Sequence, residues 1–187
     1  MSGQMSDVIV LNDEEFAIVE PGPGALFDVR SHDIFPVSTH SANTRGELAR
    51  YEIDGSGQLT LSDLQVGLLD PPPALNGVDA TTDEYGQVFT FLGLHLPIHW
   101  TGDLIVGADP ITDLYIHSGF LPVWHYERVT AFALVDGVVQ SSEDRSDQVA
   151  AFRAERALNG ADDDEGIFER FLDSIKVRFG LDDDDQA

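Results

Sequence analysis

Between Leu48 and Leu69 the chain reads LARYEIDGSGQLTLSDLQVGLL, and this stretch constrains the fold more than any other. Leu59 and Leu61 alternate with Gln58, Thr60 and Ser62, the period-two pattern of a half-buried strand. Tyr51-Glu52-Ile53 precedes it, across Asp54-Gly55-Ser56-Gly57, where two glycines supply turn conformations. The pattern predicts a β-hairpin. The same residues also fit a second template, a twelve-residue calcium loop from Glu52 to Asp63. Such a loop draws ligands from its first, third, fifth, seventh, ninth and twelfth positions and places glycine at the sixth. Here those positions hold Glu52, Asp54, Ser56, Gln58 (through its carbonyl), Thr60 and Asp63, with Gly57 at the turn. Glu in place of Asp at the first position and Asp in place of Glu at the last both weaken the fit. No helical flank or second loop accompanies it.

The rest of the chain extends the β reading. Asp7–Leu11, Phe16–Val19 and Ala25–Val29 are strand candidates, the last two separated by Pro21-Gly22-Pro23-Gly24. Residues 30 to 44 lack a period and read as a loop, and residues 70 to 87 form a polar excursion opened by Pro71-Pro72-Pro73. Val88–Leu96, Leu104–Val106, Leu114–Ile116, Val129–Val135 and Val138–Ser141 are further strand candidates. Asp136-Gly137 forms a two-residue hairpin turn of the primed type. After Ser142 the period becomes helical. Asp147–Leu158 follows Ser146 as N-cap, and Gly166–Phe179 carries an apolar stripe of Ile167, Phe168, Phe171, Leu172 and Ile175. The expectation is one α+β domain over residues 1–181, a mainly antiparallel sheet or open barrel with two short C-terminal helices. Residues 182–187 form an acidic tail.

Charge bounds the partners. Asp and Glu number 34 against 10 Lys plus Arg, for a formal net charge of -24. Lys176 is the single lysine. Acids dispersed along the chain together with loss of lysine point to adaptation to concentrated salt. Binding to nucleic-acid phosphates is disfavoured, because the local basic residues reduce to Arg45 and Arg50, with Arg30 further back. With no cysteine, thiolate metal sites, disulfides and a cysteine nucleophile are excluded. No apolar run approaches a membrane span and no secretion signal is visible, so a soluble cytoplasmic protein without membrane contact is expected.

Several segments resemble an uncharacterised family of small prokaryotic β-rich domains, in a halophilic, haloarchaeal form. They are Arg45–Ile53, Gly57–Leu61, Leu94–Gly102 and Trp124–Glu127, within a span from Arg45 to Gly137. The resemblance implies that the first segment pairs as a strand with the second. It implies no activity.

Three sets of side chains are candidates for chemistry. His95, His99, His117 and His125 are imidazoles suited to zinc, and His95 and His99 would share a side on an extended segment. Ser38, Ser41 and Ser118 lie near His40 or His117, without the Gly-x-Ser-x-Gly elbow of an activated serine. Phe89, Phe91, Trp100, Tyr115, Phe120, Trp124 and Tyr126 form an aromatic set that reads first as core and second as a ligand-binding face. The expected function is a non-enzymatic binding or interaction domain that takes a protein or small-molecule ligand and needs no cofactor. The alternatives are a metal-dependent enzyme or metal-binding domain at the histidines, and a calcium-responsive module at residues 52–63.

Overall fold

The computed structural model describes residues 3–22, 24–114, 116–159 and 165–177. The acidic tail, Tyr115 and the end of the last predicted helix lie outside them. Among the described residues ten strands form one mixed, mostly antiparallel and unclosed sheet. In chain order they are β1 (Val8–Leu11), β2 (Glu14–Glu20), β3 (Glu47–Ile53), β4 (Leu59–Gly67), β5 (Thr81–Thr82), β6 (Val88–Phe91), β7 (Leu96–Pro97), β8 (Gly102–Pro110), β9 (Tyr126–Val135) and β10 (Val138–Asp144). Two helices follow, α1 (Ser146–Asn159) and α2 (Glu165–Ile175). The order across the sheet is β10-β9-β8-β2-β1-β3-β4-β6-β5, with β7 also on β4. The α+β expectation holds, and one pair departs from antiparallel: β1 runs parallel to β3. No described helix is long and apolar enough to cross a membrane.

Burial explains the sequence of each strand. In β3, Glu47, Ala49 and Tyr51 are buried and alternate with partly exposed neighbours. In β8 and β9 both faces are covered. Leu104, Val106, Phe132 and Leu134 enter the larger core, whereas Ile105, Val129, Ala131 and Ala133 enter a second core under the helices. A strand buried on both faces needs a nearly continuous apolar run, which is what VTAFALV supplies. Phe152 of α1 stacks on Phe171 of α2 with ring centroids 3.8 Å apart, and Trp124 meets Phe168 edge-on at 4.9 Å.

The hairpin of residues 48 to 69 is present, with Tyr51 opposite Leu61 and Ile53 opposite Leu59. It is longer than its alternation suggested. Beyond Leu61 the register shifts between Arg50 and Tyr51, and the strand runs on to Gly67. Thr60 and Ser62 are buried there despite being polar, because their hydroxyls donate to the Glu52 and Arg50 carbonyls. The sheet curls until the tip of this hairpin meets the tip of the β9–β10 hairpin. Leu59 N–H donates to the Gly137 carbonyl at 2.8 Å and Val139 N–H to the Gly57 carbonyl at 2.9 Å. Gln58 Nε2 adds a bond to the Ile98 carbonyl at 3.1 Å. The turn at Asp136 and Gly137 has positive φ at both residues, as a primed turn requires.

Three predicted strands are corrected. Ala25–Val29 does not pair: the chain leaves the sheet after Glu20, Asp28 caps a 3-10 turn at Val29–His32, and Phe27 and Val29 pack onto the core instead. Val88–Leu96 splits, because Gly93 and His95 adopt positive φ between β6 and β7. Leu114 ends a 3-10 turn at Thr112–Leu114. The segment from Gly24 to Val37 becomes a strap over one end of the sheet. Val37 N–H donates to the Gly67 carbonyl at 2.8 Å. A Cβ at Gly46 or Gly67 would lie 2.4 or 2.3 Å from the Val37 carbonyl oxygen, so glycine is what lets the strap approach.

Candidate functional site

The six calcium-loop positions are spread along an antiparallel ladder and its turn rather than around a single point. Glu52 sits opposite Thr60 on the neighbouring strand, and Arg50 sits opposite Asp63. Asp54 is engaged by its own turn: Oδ1 accepts from Ser56 N–H at 2.8 Å, Ser56 Oγ at 2.6 Å and Gln58 N–H at 3.1 Å. The Ser56 hydroxyl and then the backbone amides lower its carboxyl below the ordinary range. Asp63 Oδ1 accepts from Gly93 N–H at 2.9 Å. The physical reason is the ladder: a calcium loop must wrap around one point, whereas here Asp54 is spent on its own turn and Asp63 lies beyond the register shift, opposite Arg50 and bonded to Gly93.

The histidines are also dispersed. His95 Nδ1 lies 3.4 Å from Glu52 Oε1, and His99 Nδ1 lies 2.8 Å from Asp136 Oδ1 in the open hairpin turn. His117 is exposed in the loop after the Thr112–Leu114 turn. His125 is buried beneath the helices, where burial first, then Arg153 and Arg156, push its imidazole below the usual range. Pro97 and the positive φ of His95 break the extended segment that would have aligned His95 with His99. Among the described residues no group of three or more His, Asp or Glu side chains could hold a metal ion. Of the arginines the sequence placed nearest one another, Arg45 pairs with Asp7, and Arg50 with Glu15. Ser38 Oγ donates to the carbonyls of His40 and Asn43, a loop-closing role. Of the aromatic set, Phe89 and Phe91 are core, and Trp124 and Tyr126 pack in the second core.

Two features that no motif announced sit under and beside the strap. The first is a buried polar cluster. Asp7, 3% exposed, accepts from Gly24 N–H at 3.0 Å, Ala49 N–H at 2.9 Å, Arg45 Nη1 at 3.2 Å and Arg45 Nη2 at 2.8 Å. One carboxylate thus joins the start of β1, the strap and β3. Beside it Glu47, 8% exposed, has Oε1 3.7 Å from Arg45 Nη1. Its Oε2 and the hydroxyl of Tyr51 are buried without a protein hydrogen-bond partner. Burial raises the Glu47 carboxyl, opposed by Arg45 and then Arg30, with Asp7 and Asp28 reinforcing the rise. Burial likewise pushes the Tyr51 phenol well up. A period-two reading contained the signal: Glu47 shares its face with Ala49 and Tyr51, so an acid at that position is a buried acid.

The second is an open apolar groove of about 390 Å³ between strap residues Asp33–Val37 and Leu68–Pro73. Ile34 and Leu68 are buried in its floor, which turns their neighbours outward: Phe35 is 64% exposed and Leu69 82%. Pro71-Pro72-Pro73 makes one wall, with φ fixed by the rings. Asp33 and Asp70 stand at its edges. Comparison with protein-family models, curated proteins and solved structures returns no match, so the site rests on its own geometry.

Proposed function

We propose that this chain is a cytoplasmic, non-enzymatic binding domain adapted to high salt. Its groove takes an apolar side chain of a partner polypeptide flanked by arginine or lysine. The observation that carries the reading is the outward pair Phe35 and Leu69 on a groove whose other walls are buried or fixed. Large apolar side chains that share one depression, rather than lying scattered, mark contact surfaces. The acids Asp33 and Asp70, on a chain of net charge -24, favour a basic neighbour for the inserted side chain. A small molecule fits less well, because small-ligand sites enclose most of their guest and this groove is open. The dispersed histidines lend no support to the metal-dependent alternative.

Selection from a random peptide display library on the immobilised protein tests the proposal. Enriched peptides should share an apolar residue beside Arg or Lys. They should lose binding to Phe35→Ser and Leu69→Ser while retaining it for Leu92→Ser, a change at another exposed leucine. Peptides without that signature, or equal binding to all three variants, would refute it.

A further inference from the structure

The cavity beneath the strap is a second, unrelated feature of the same end of the sheet. It offers about 10 Å³ for the centre of a water-sized sphere, close to the least volume that holds one water. Phe27, Val29 and Leu64 close its apolar side, and Asp7, Arg45, Glu47 and Tyr51 line its polar side. Glu47 Oε2 and Tyr51 Oη are the two buried oxygens there with no protein partner. Both project from the same face of β3, and the short side chain of Ala49 between them leaves the space open. We infer that this cavity is a binding site for a single internal water, which accepts from the Tyr51 hydroxyl and donates to Glu47 Oε2.

The chemistry selects water over an ion. A hard cation takes six or more oxygen ligands, and two unpartnered oxygens fall far short. A guanidinium also stands in the cluster, with Arg45 Nη1 3.7 Å from Glu47 Oε1, and repels a cation. An apolar guest would leave both oxygens desolvated. A water satisfies both with its ordinary donor and acceptor capacity.

A high-resolution crystal structure of the full chain should show one density peak within hydrogen-bond reach of both oxygens. Tyr51→Phe should remove the peak and lower Tm by roughly 2–4 °C, the shift for one lost hydrogen bond in a chain of this length. Glu47→Gln, which keeps an acceptor oxygen, should retain the peak. A peak that gains anomalous signal after thallium exchange would assign a cation and overturn the inference. So would direct contact between the two oxygens, an empty cavity, or a Tyr51→Phe variant at least as stable as the parent. If that variant fails to fold, the density in the parent decides.

Discussion

Replacing Gly137 by alanine tests how the sheet is held at its curled end. Gly137 has φ +77, a left-handed conformation that costs an alanine about 1–2 kcal/mol. A Cβ there would lie 1.8 Å from the Ile98 carbonyl oxygen and 2.4 Å from Gln58 Nε2. The first is backbone and cannot rotate aside, so the Asp136-Gly137 turn must part from the segment at Ile98–Trp100 and from the tip of the β3–β4 hairpin. Parting breaks the bonds from Leu59 N–H to the Gly137 carbonyl and from Gly137 N–H to the Trp100 carbonyl, and strains the Gln58 amide. At about 1 kcal/mol per net hydrogen bond this adds roughly 2–3 kcal/mol, for a total of about 3–5 kcal/mol. In a chain of this length Tm should fall by roughly 6–20 °C, read by circular dichroism on heating. Gly55→Ala is the control, since a Cβ there meets nothing within 4 Å. A Gly137→Ala variant that melts within about 3 °C of the Gly55→Ala variant would refute the account of the meeting tips.

Further outcomes follow from the buried cluster, the turn and the charge. Asp7→Ala leaves two backbone N–H groups and Arg45 without their acceptor. It should cost about 3–5 kcal/mol in urea unfolding, and a loss below about 1 kcal/mol would contradict the joining role of Asp7. Because burial raises the Glu47 carboxyl, the folded chain holds that proton more tightly than the unfolded chain does. Stability should therefore drop as pH rises from the ordinary glutamate range through the folded value. Glu47→Gln should remove that component of the decline, and superimposable stability–pH curves for parent and variant would count against it. Calcium and magnesium at matched ionic strength should shift Tm equally in the parent and in Asp54→Ala; a calcium-specific shift lost in the variant would reinstate the loop reading. Molar potassium chloride should stabilise the fold relative to dilute buffer by screening the net charge of -24, and equal stability in both would end the salt-adaptation argument.

How much was legible in the sequence differs from element to element. The Leu59–Leu61 alternation and the Asp136-Gly137 turn encode local geometry, so both hairpins and both helices could be read directly. Ala25–Val29 could not. It has strand composition, but apolar side chains satisfy a strap as well as a strand, and only the sheet below decides which. The calcium template matched Glu52–Asp63 in spacing and still misled, because ligand spacing presupposes a loop that wraps and these residues lie on a ladder. His95, His99, His117 and His125 are close in sequence, but nothing in it specified where each would lie.

The sequence by itself therefore determined the two hairpins and their turns, the helices and the acidic character, all properties of neighbouring residues. It also carried the buried face of β3, and with it Glu47, through a two-residue repeat. The tertiary structure alone decided the order of strands, the parallel pairing of β1 with β3 and the meeting of the two hairpin tips. It also decided the groove and the cavity. Those depend on which distant segments pack together, as when Val37 closes on Gly46 and Gly67, and such packing is set by the whole core rather than by any local pattern.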